Sequence, residues 1–322
     1  MVKLQIRSFQ EAISLNYNKN LTILAYLTVC LVWGSTYLAI RVAVTDMPFL
    51  AFAGIRFFTA GSIMLVVSKL KGWSFPDNLQ DYKTIVLAGL MLLFVSNGLV
   101  CWAEQWIESG MAALLLASTP LFMALIEALV PQDQKIGRIG WVGLLIGFLG
   151  VAFLVGPHFA LEGKTFSAML ALLAASLNWA AASIYLKRRI VSGAMMPNVG
   201  IQMFAAGSVF LITAYFFGGV SIAGASSSGI AALLYLIFIG SILAYSAFNY
   251  IIKALPAAKA GTYAYINPVV AVILGALILN EVITSRNIIA AAIIIGGVIL
   301  VQISKGAPVK QGNLEEVEVK AL

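Results

Sequence analysis

Arg56 has the plainest chemical consequence of any residue in this 322-residue chain. It stands inside an apolar run spanning 48–69, about eight residues from one end, or roughly 12 Å deep at helical rise. A charge at such depth is costly and faces a protein interior or a wet cavity, not lipid. Arginine stays protonated even when buried, so it must be met by an anion or by acceptor oxygens. Two readings stay open: an anchor for a substrate carboxylate or phosphate, and a structural ion pair with Glu104, at compatible depth in the next run. Glu104 stands with Gln105, Glu108, Trp102 and Trp106. That cluster fits an outer vestibule with one protonatable group, or an interfacial aromatic belt with solvated carboxylates. Function is the preferred reading for Glu104 and the aromatic belt for Glu108 and Trp106.

Pro120 and Pro268 interrupt two other apolar runs. Each removes a backbone donor, and such breaks are tolerated in a bundle where they line a cavity. Ser118, Thr119 and Asn267 stand beside them. Trp33, Tyr37, Trp179 and Tyr185 occupy matching stretches of two runs, and Tyr245, Asn249, Tyr263 and Tyr265 add polar groups further on. Asn97, Asn178 and Gln202 are intramembrane amides. Buried phenols and amides need partners, so they face a wet cavity or make interhelix hydrogen bonds.

Signals for enzyme chemistry are weak. His158 is the sole histidine, which leaves metal binding and proton relay poorly supplied. Gly163-Lys164-Thr165 ends like a phosphate loop, but His158 stands where its first glycine belongs. Gly224-Ala225-Ser226 has no histidine to activate the serine. No metal, cofactor or catalytic residue is expected, and no ATP-driven pumping by this chain alone.

The elements that position these residues follow from composition. Hydrophobic residues make up 61% of the chain and charged residues 10%. Too few charges are present to cover a soluble surface, so the solvent for most of the chain is lipid. Apolar runs about 20 residues long are helices, since lipid admits only helices and closed barrels. They fall near 21–44, 48–69, 83–107, 110–130, 138–156, 165–187, 197–217, 229–253, 260–280 and 286–304. The net charge of +7 is no nucleic-acid signature, because the basic residues cluster between apolar runs. Of the 20 Lys and Arg, sixteen share one side if both termini are cytoplasmic, and only Arg41, Lys164 and Arg286 lie opposite. The positive-inside rule then places both termini in the cytoplasm. Cys30 and Cys101 lie within apolar runs and read as free thiols.

The two halves resemble each other. Trp33-Gly34-Ser35-Thr36-Tyr37 through Arg41 lies over Trp179-Ala180-Ala181-Ala182-Ser183 through Lys187. At the same offset Gly61-Ser62 meets Gly207-Ser208 and Arg56 meets Gln202. With a small shift Thr119-Pro120 meets Asn267-Pro268, and Asp133 meets Glu281. Each repeat holds five helices, and an odd number turns the second copy upside down.

Val32-Trp33-Gly34-Ser35 through Arg41, Ile55-Arg56-Phe57, Trp102-Ala103-Glu104 to Ser109-Gly110, and Thr119-Pro120-Leu121-Phe122 resemble the first half of an EamA-type transporter. Asn267-Pro268-Val269-Val270 through Asn280-Glu281, with the apolar stretch from Ile288 to Val301, resembles the second half. That family belongs to the drug/metabolite transporter superfamily, and the resemblance covers roughly 20–304. The stretch 103–114 is similar to a subgroup of amino-acid and metabolite exporters. Two departures stand out: Pro131-Gln132-Asp133 where the family has Gly-Glu, and Gln202 opposite Arg56. The resemblance implies an all-α polytopic membrane protein of ten transmembrane helices, two inverted five-helix repeats around a central cavity, with helices 5 and 10 peripheral. Small polar or amphipathic metabolites would cross an inner membrane by alternating access, usually outward.

The expected organisation is a cytoplasmic segment 1–20, a first repeat 21–156, an external linker 157–164, a second repeat 165–304 and a cytoplasmic tail 305–322. The expected partners are a small-molecule substrate and the lipid bilayer, with no nucleic acid and an open oligomeric state. A scaffold without transport and an enzyme acting on lipid-linked substrates are the competing readings. The first would not need polar aromatics at repeat-related positions. The second would need clustered acids, histidines or a metal.

Overall fold

The computed structural model describes residues 18–129, 137–156, 163–217, 219–255 and 262–305. The expectations placed on Asp133, His158 and both terminal segments lie outside these residues. Ten apolar helices run through the described chain: α1 (Lys19–Asp46), α2 (Phe49–Leu70), α3 (Leu79–Ala103), α4 (Ser109–Leu129), α5 (Arg138–Val155), α6 (Lys164–Lys187), α7 (Met195–Phe217), α8 (Ser227–Ala254), α9 (Tyr263–Leu279) and α10 (Ser285–Lys305). We call the face at which α1 begins the near face and the opposite one the far face.

Local chemistry sets the boundaries. Asn18 caps α1 by accepting from the Asn20 and Leu21 amides, at 2.9 and 3.2 Å, and Ser226 caps α8 through Gly229 at 3.1 Å. Asn78 caps α3 through the Asp81 amide at 2.9 Å. That cap starts α3 at Leu79, earlier than the apolar run by itself predicts, and α3 ends at Ala103, so Glu104 falls in the turn beyond it. α9 is the short helix, 17 residues long, ended by Asn280 in the left-handed region at φ 55°. Asparagine tolerates that conformation better than most residues.

Three helices are not uniform. α4 stops at Leu116 and resumes at Thr119, so Pro120 sits in the first turn of its second segment, where no amide donor is needed. The expected break is therefore present there. At Pro268 it is absent, because α9 runs as one helix through that proline. α3 and α8 each contain a π-helical stretch, Leu90–Ser96 and Leu236–Leu243, at repeat-related positions. Wide turns of this kind are rare and concentrate at functional sites.

Packing follows the repeat. α2 lies along α7 and α5 along α10. At the α2–α7 crossing, a side chain on Gly207 would collide with the Phe58 backbone, and one on Gly61 with that of Phe204. The two glycines are repeat mates, and each lets the other helix's backbone approach. Gly207→Val is expected to cost at least the roughly 1–3 kcal/mol of an overpacked core. A thermal melt of the purified variant checks this, and an unchanged melting temperature would refute the contact.

Leu24, Leu27 and Leu31 of α1 and Leu145 and Leu149 of α5 are exposed, as lipid-facing residues must be. Both ends of the bundle carry carboxylate–serine ties. On the far face Asp46, at the end of α1, accepts from the Ser226 amide at 2.8 Å and from its hydroxyl, at the start of α8. On the near face Asp81 of α3 accepts from the Ser192 amide and hydroxyl at 2.9 and 2.5 Å, in the α6–α7 connection. These ties join repeat-related pairs of elements at opposite faces. Cys30 and Cys101 are free and buried.

Candidate functional site

A cavity of about 100 Å³ lies between α1, α2, α3, α4, α6, α8 and α9. It has room for several waters or a small solute. Its lining is mostly apolar, with a small set of polar groups, the usual make-up of a small-molecule site.

Toward the near face, four helices contribute one aromatic cluster. Trp33 of α1 meets Trp179 of α6 edge-on at 5.6 Å, Phe248 of α8 at 4.7 Å and Tyr263 of α9 at 5.4 Å between ring centroids. Phe248 also meets Trp179 at 5.7 Å and Tyr263 at 5.8 Å. Edge-to-face pairs at these separations are favourable beyond the area they bury.

Arg56 of α2 brings a charge to the same cavity. Arg56 is 4% exposed. Its Nε donates to Ser241 Oγ of α8 at 2.9 Å, one Nη donates to Asn97 Oδ1 of α3 at 3.5 Å, and its guanidinium lies 4.6 Å from the Phe57 ring centre. All these partners are neutral. Among the described residues no carboxylate comes within ion-pairing distance, so the Arg56 charge is held on the cavity wall without a counter-ion. Gly240 leaves space for the guanidinium. Ser241 belongs to the π-helical stretch of α8, and Asn97 directly follows that of α3.

The Arg56–Glu104 pair, one of the two sequence readings, is not formed. Asn97, which Arg56 does reach, lies seven residues before Glu104 on α3, about 10 Å nearer the near face at helical rise. Glu104 is fully buried beyond the cavity, and neither of its carboxyl oxygens has a hydrogen-bond partner. Its backbone carbonyl instead accepts from Arg41 of α1. Close by, Glu281 accepts from the Ser109 amide and hydroxyl at 2.8 and 2.7 Å and from the Gly110 amide at 3.0 Å, tying the α9–α10 turn to the start of α4. Burial, and secondarily Glu281, holds the Glu108 carboxyl above the ordinary carboxylate range.

Of the residues picked out from the sequence, Trp33, Tyr37, Arg56, Asn97, Thr119, Trp179, Tyr245, Tyr263, Asn267 and Pro268 line the cavity. Thr119 donates to the Leu116 carbonyl left free by the α4 break, at 2.8 Å, and meets Ser176 Oγ at 2.8 Å. With its amide nitrogen turned toward them, Asn267 donates to the Tyr263 and Cys30 carbonyls at 3.1 and 3.0 Å. The others stand off the wall. Ser118 serves the same break, bonding the Leu115 carbonyl at 2.6 Å and Ser176 at 3.0 Å, and Pro120 follows it. Gln202 accepts from the Tyr245 hydroxyl. Asn249 donates to the Tyr245 carbonyl at 2.9 Å. Tyr185 stacks under Arg189, Tyr265 lies beside Gln302 of α10, and Trp102 packs near the end of α3. Asn178 donates to the Met91 carbonyl and Ser96 Oγ, at 2.6 and 2.8 Å, and so braces the π stretch of α3.

Sequence reasoning passed over Thr36, Ser96, Ser241 and Phe248. Hydroxyls and phenylalanines are common in membrane helices, and no spacing sets these four apart. Ser96 and Ser241 reach the cavity from the wide turns of α3 and α8, Thr36 lines it from α1, and Phe248 joins the aromatic cluster.

Ten apolar helices among the described residues, seven of them lining a polar-aromatic cavity, define the class: a multi-pass membrane transporter. Residues 20–156 and 166–303 each match the EamA-like transporter family, and the chain belongs to it. The matches cover both five-helix halves, and the family is one of transporters, not enzymes. The chain is 38% identical over 282 residues to the uncharacterized inner membrane transporter YedA of Escherichia coli (strain K12), covering 87% of this chain and 90% of that protein. It is 22% identical to the uncharacterized transporter YoaV of Bacillus subtilis (strain 168), over 86% and 95% of the two chains. A crystal structure 17% identical in sequence superposes with a TM-score of 0.64, covering 89% of this chain and 99% of the other, and shows the same fold.

Proposed function

We propose that the chain is a secondary transporter of the inner membrane that moves small metabolites, amino acids and related amphipathic acids among them, outward by alternating access. The observation that carries this reading is the Arg56 charge, held by neutral oxygens on the wall of a cavity that Trp33, Trp179 and Tyr263 also line. A solute with an acid group and an apolar or aromatic part matches both features. Binding energy at such a site comes from the acid group meeting a desolvated guanidinium.

The orientation rests on the lysine and arginine count. By their order along the chain, sixteen of the 20 basic residues fall in the segments on the side where α1 begins, and the positive-inside rule makes that side, with both termini, the cytoplasmic one. The repeats would then span 21–156 and 165–304, joined outside the cell by 157–164. A scaffold role is less well supported, because it gives no reason for an uncompensated charge on a cavity.

The test is transport by the purified protein alone, in proteoliposomes loaded with a mixture of amino acids and small organic acids. Counterflow of at least one acidic or zwitterionic solute is expected. Its absence for the whole panel would overturn the reading. Orientation has its own check. Ser227→Cys, at the exposed far-face start of α8, should react with an impermeant maleimide in intact spheroplasts. Reaction only after permeabilisation would reverse the assignment of the faces.

A further inference from the structure

Glu104 has no part in the cavity, yet it is the most unusual side chain in the bundle. It is fully buried, and both carboxyl oxygens lack any donor. The charged and ionisable groups around it are accounted for. From α1, Arg41 gives its hydrogen bond to the Glu104 backbone carbonyl, not to the carboxyl, and Tyr37 stands nearby. From α2, Arg56 is engaged by Ser241 and Asn97. From α3, Cys101 is a buried thiol. From the α9–α10 turn, Glu281 is itself a carboxylate, committed to Ser109 and Gly110. An ionised Glu104 would thus be a fully buried charge without a hydrogen-bond donor, opposed by Glu281 and favoured only by Arg41 and Arg56, neither of which is bonded to the carboxyl. Burial of that kind selects the neutral form.

We propose that Glu104 is a proton-binding site of the transporter, occupied when the far face is closed and emptied when it opens. The step is a simple protonation. With the far face open, the Glu104 carboxylate takes a proton from hydronium, leaving water. The ends of α1 and α3 then close over a neutral acid, with Arg41 docked on the carbonyl. On reopening, water reaches the carboxyl, the proton returns to solvent, and the Arg41 guanidinium is free to face the carboxylate. The sign follows: low pH at the far face favours closure and high pH favours opening. This rests on alternating access as proposed above and adds a proton, taken from and returned to the far-face solvent, that gates closure of that face.

Two measurements test it without any transported solute, so a failed substrate screen does not obscure them. The first is infrared spectroscopy of the full-length purified protein. A protonated-carboxyl stretch is expected to persist at about pH 8, far above the ordinary range of a glutamate, and to vanish in Glu104→Gln. Glu104→Asp should keep a displaced band, so the assignment survives if the glutamine variant fails to fold. Absence of any such band in the wild type above about pH 6 would overturn the proposal. The second is alkylation of Cys101 by N-ethylmaleimide in a Cys30→Ala background, scaled to the unfolded thiol at each pH. One coupled proton gives a rise of up to about tenfold per pH unit in the wild type and none in Glu104→Gln. A flat wild-type profile, or the same rise in both proteins, would refute the coupling.

Discussion

Arg56→Gln is expected to abolish transport of acidic and zwitterionic solutes while leaving a folded protein. Glutamine is the residue at the matching position of the second repeat, Gln202, so the change makes the halves alike. It keeps donors and an acceptor that can meet Ser241 and Asn97, and it removes the charge. Hydrogen bonds to charged groups contribute about 1.5–3 kcal/mol, so losing the guanidinium–acid contact lowers affinity roughly 10- to 100-fold. A retained melting temperature is expected because Arg56 has no ion-paired carboxylate to strand. Loss of one partner of a buried ion pair would instead cost about 3–5 kcal/mol. Normal counterflow of an acidic solute by this variant would end the anion-site reading. A collapsed melting temperature would mean that the charge is structural.

Glu281→Ala is expected to give the largest loss of stability at the far face. One carboxylate closes the first turn of α4 with three hydrogen bonds, two to backbone amides and one to a hydroxyl. A negative charge is best placed at a helix N-terminus, where amides point outward without partners. The site is tight, because a side chain on Gly275 would strike the carboxylate, and alanine leaves that space empty. A loss of about 2–4 kcal/mol follows from the missing charged hydrogen bonds and the unfilled helix end. A lower melting temperature, and faster alkylation of Cys101 as α4 loosens from the α9–α10 turn, are the measurements. A variant with the wild-type melting temperature would show that the tie contributes nothing.

That the chain is a ten-helix membrane bundle built as two related halves could be read from its residues alone. The physical reason is that lipid leaves little choice. Each stretch of about 20 apolar residues must satisfy its own backbone, and helix formation does so without reference to other parts of the chain. The repeat was legible for a similar reason: Gly61 and Gly207 are needed wherever two backbones touch, so the match survives in residue type. Arg56 was legible because a charge at that depth has no bland explanation.

The partners were decided only by tertiary structure. Hydropathy says how deep a residue lies, not which way its helix is turned. Arg56 and Glu104 were plausible partners by depth alone. The π stretches of α3 and α8 instead bring Asn97 and Ser241 to the guanidinium and leave Glu104 dry beyond them. Pro120 and Pro268 read alike in sequence, yet only α4 breaks. Ser118 and Thr119 turn their hydroxyls to the Leu115 and Leu116 carbonyls there, with Ser176 of α6 meeting both hydroxyls, while α9 stays helical with Asn267 bonding back to Tyr263 and across to Cys30. Each of these outcomes depends on a hydrogen-bond partner from another helix, and such partners have no period in the chain that carries them.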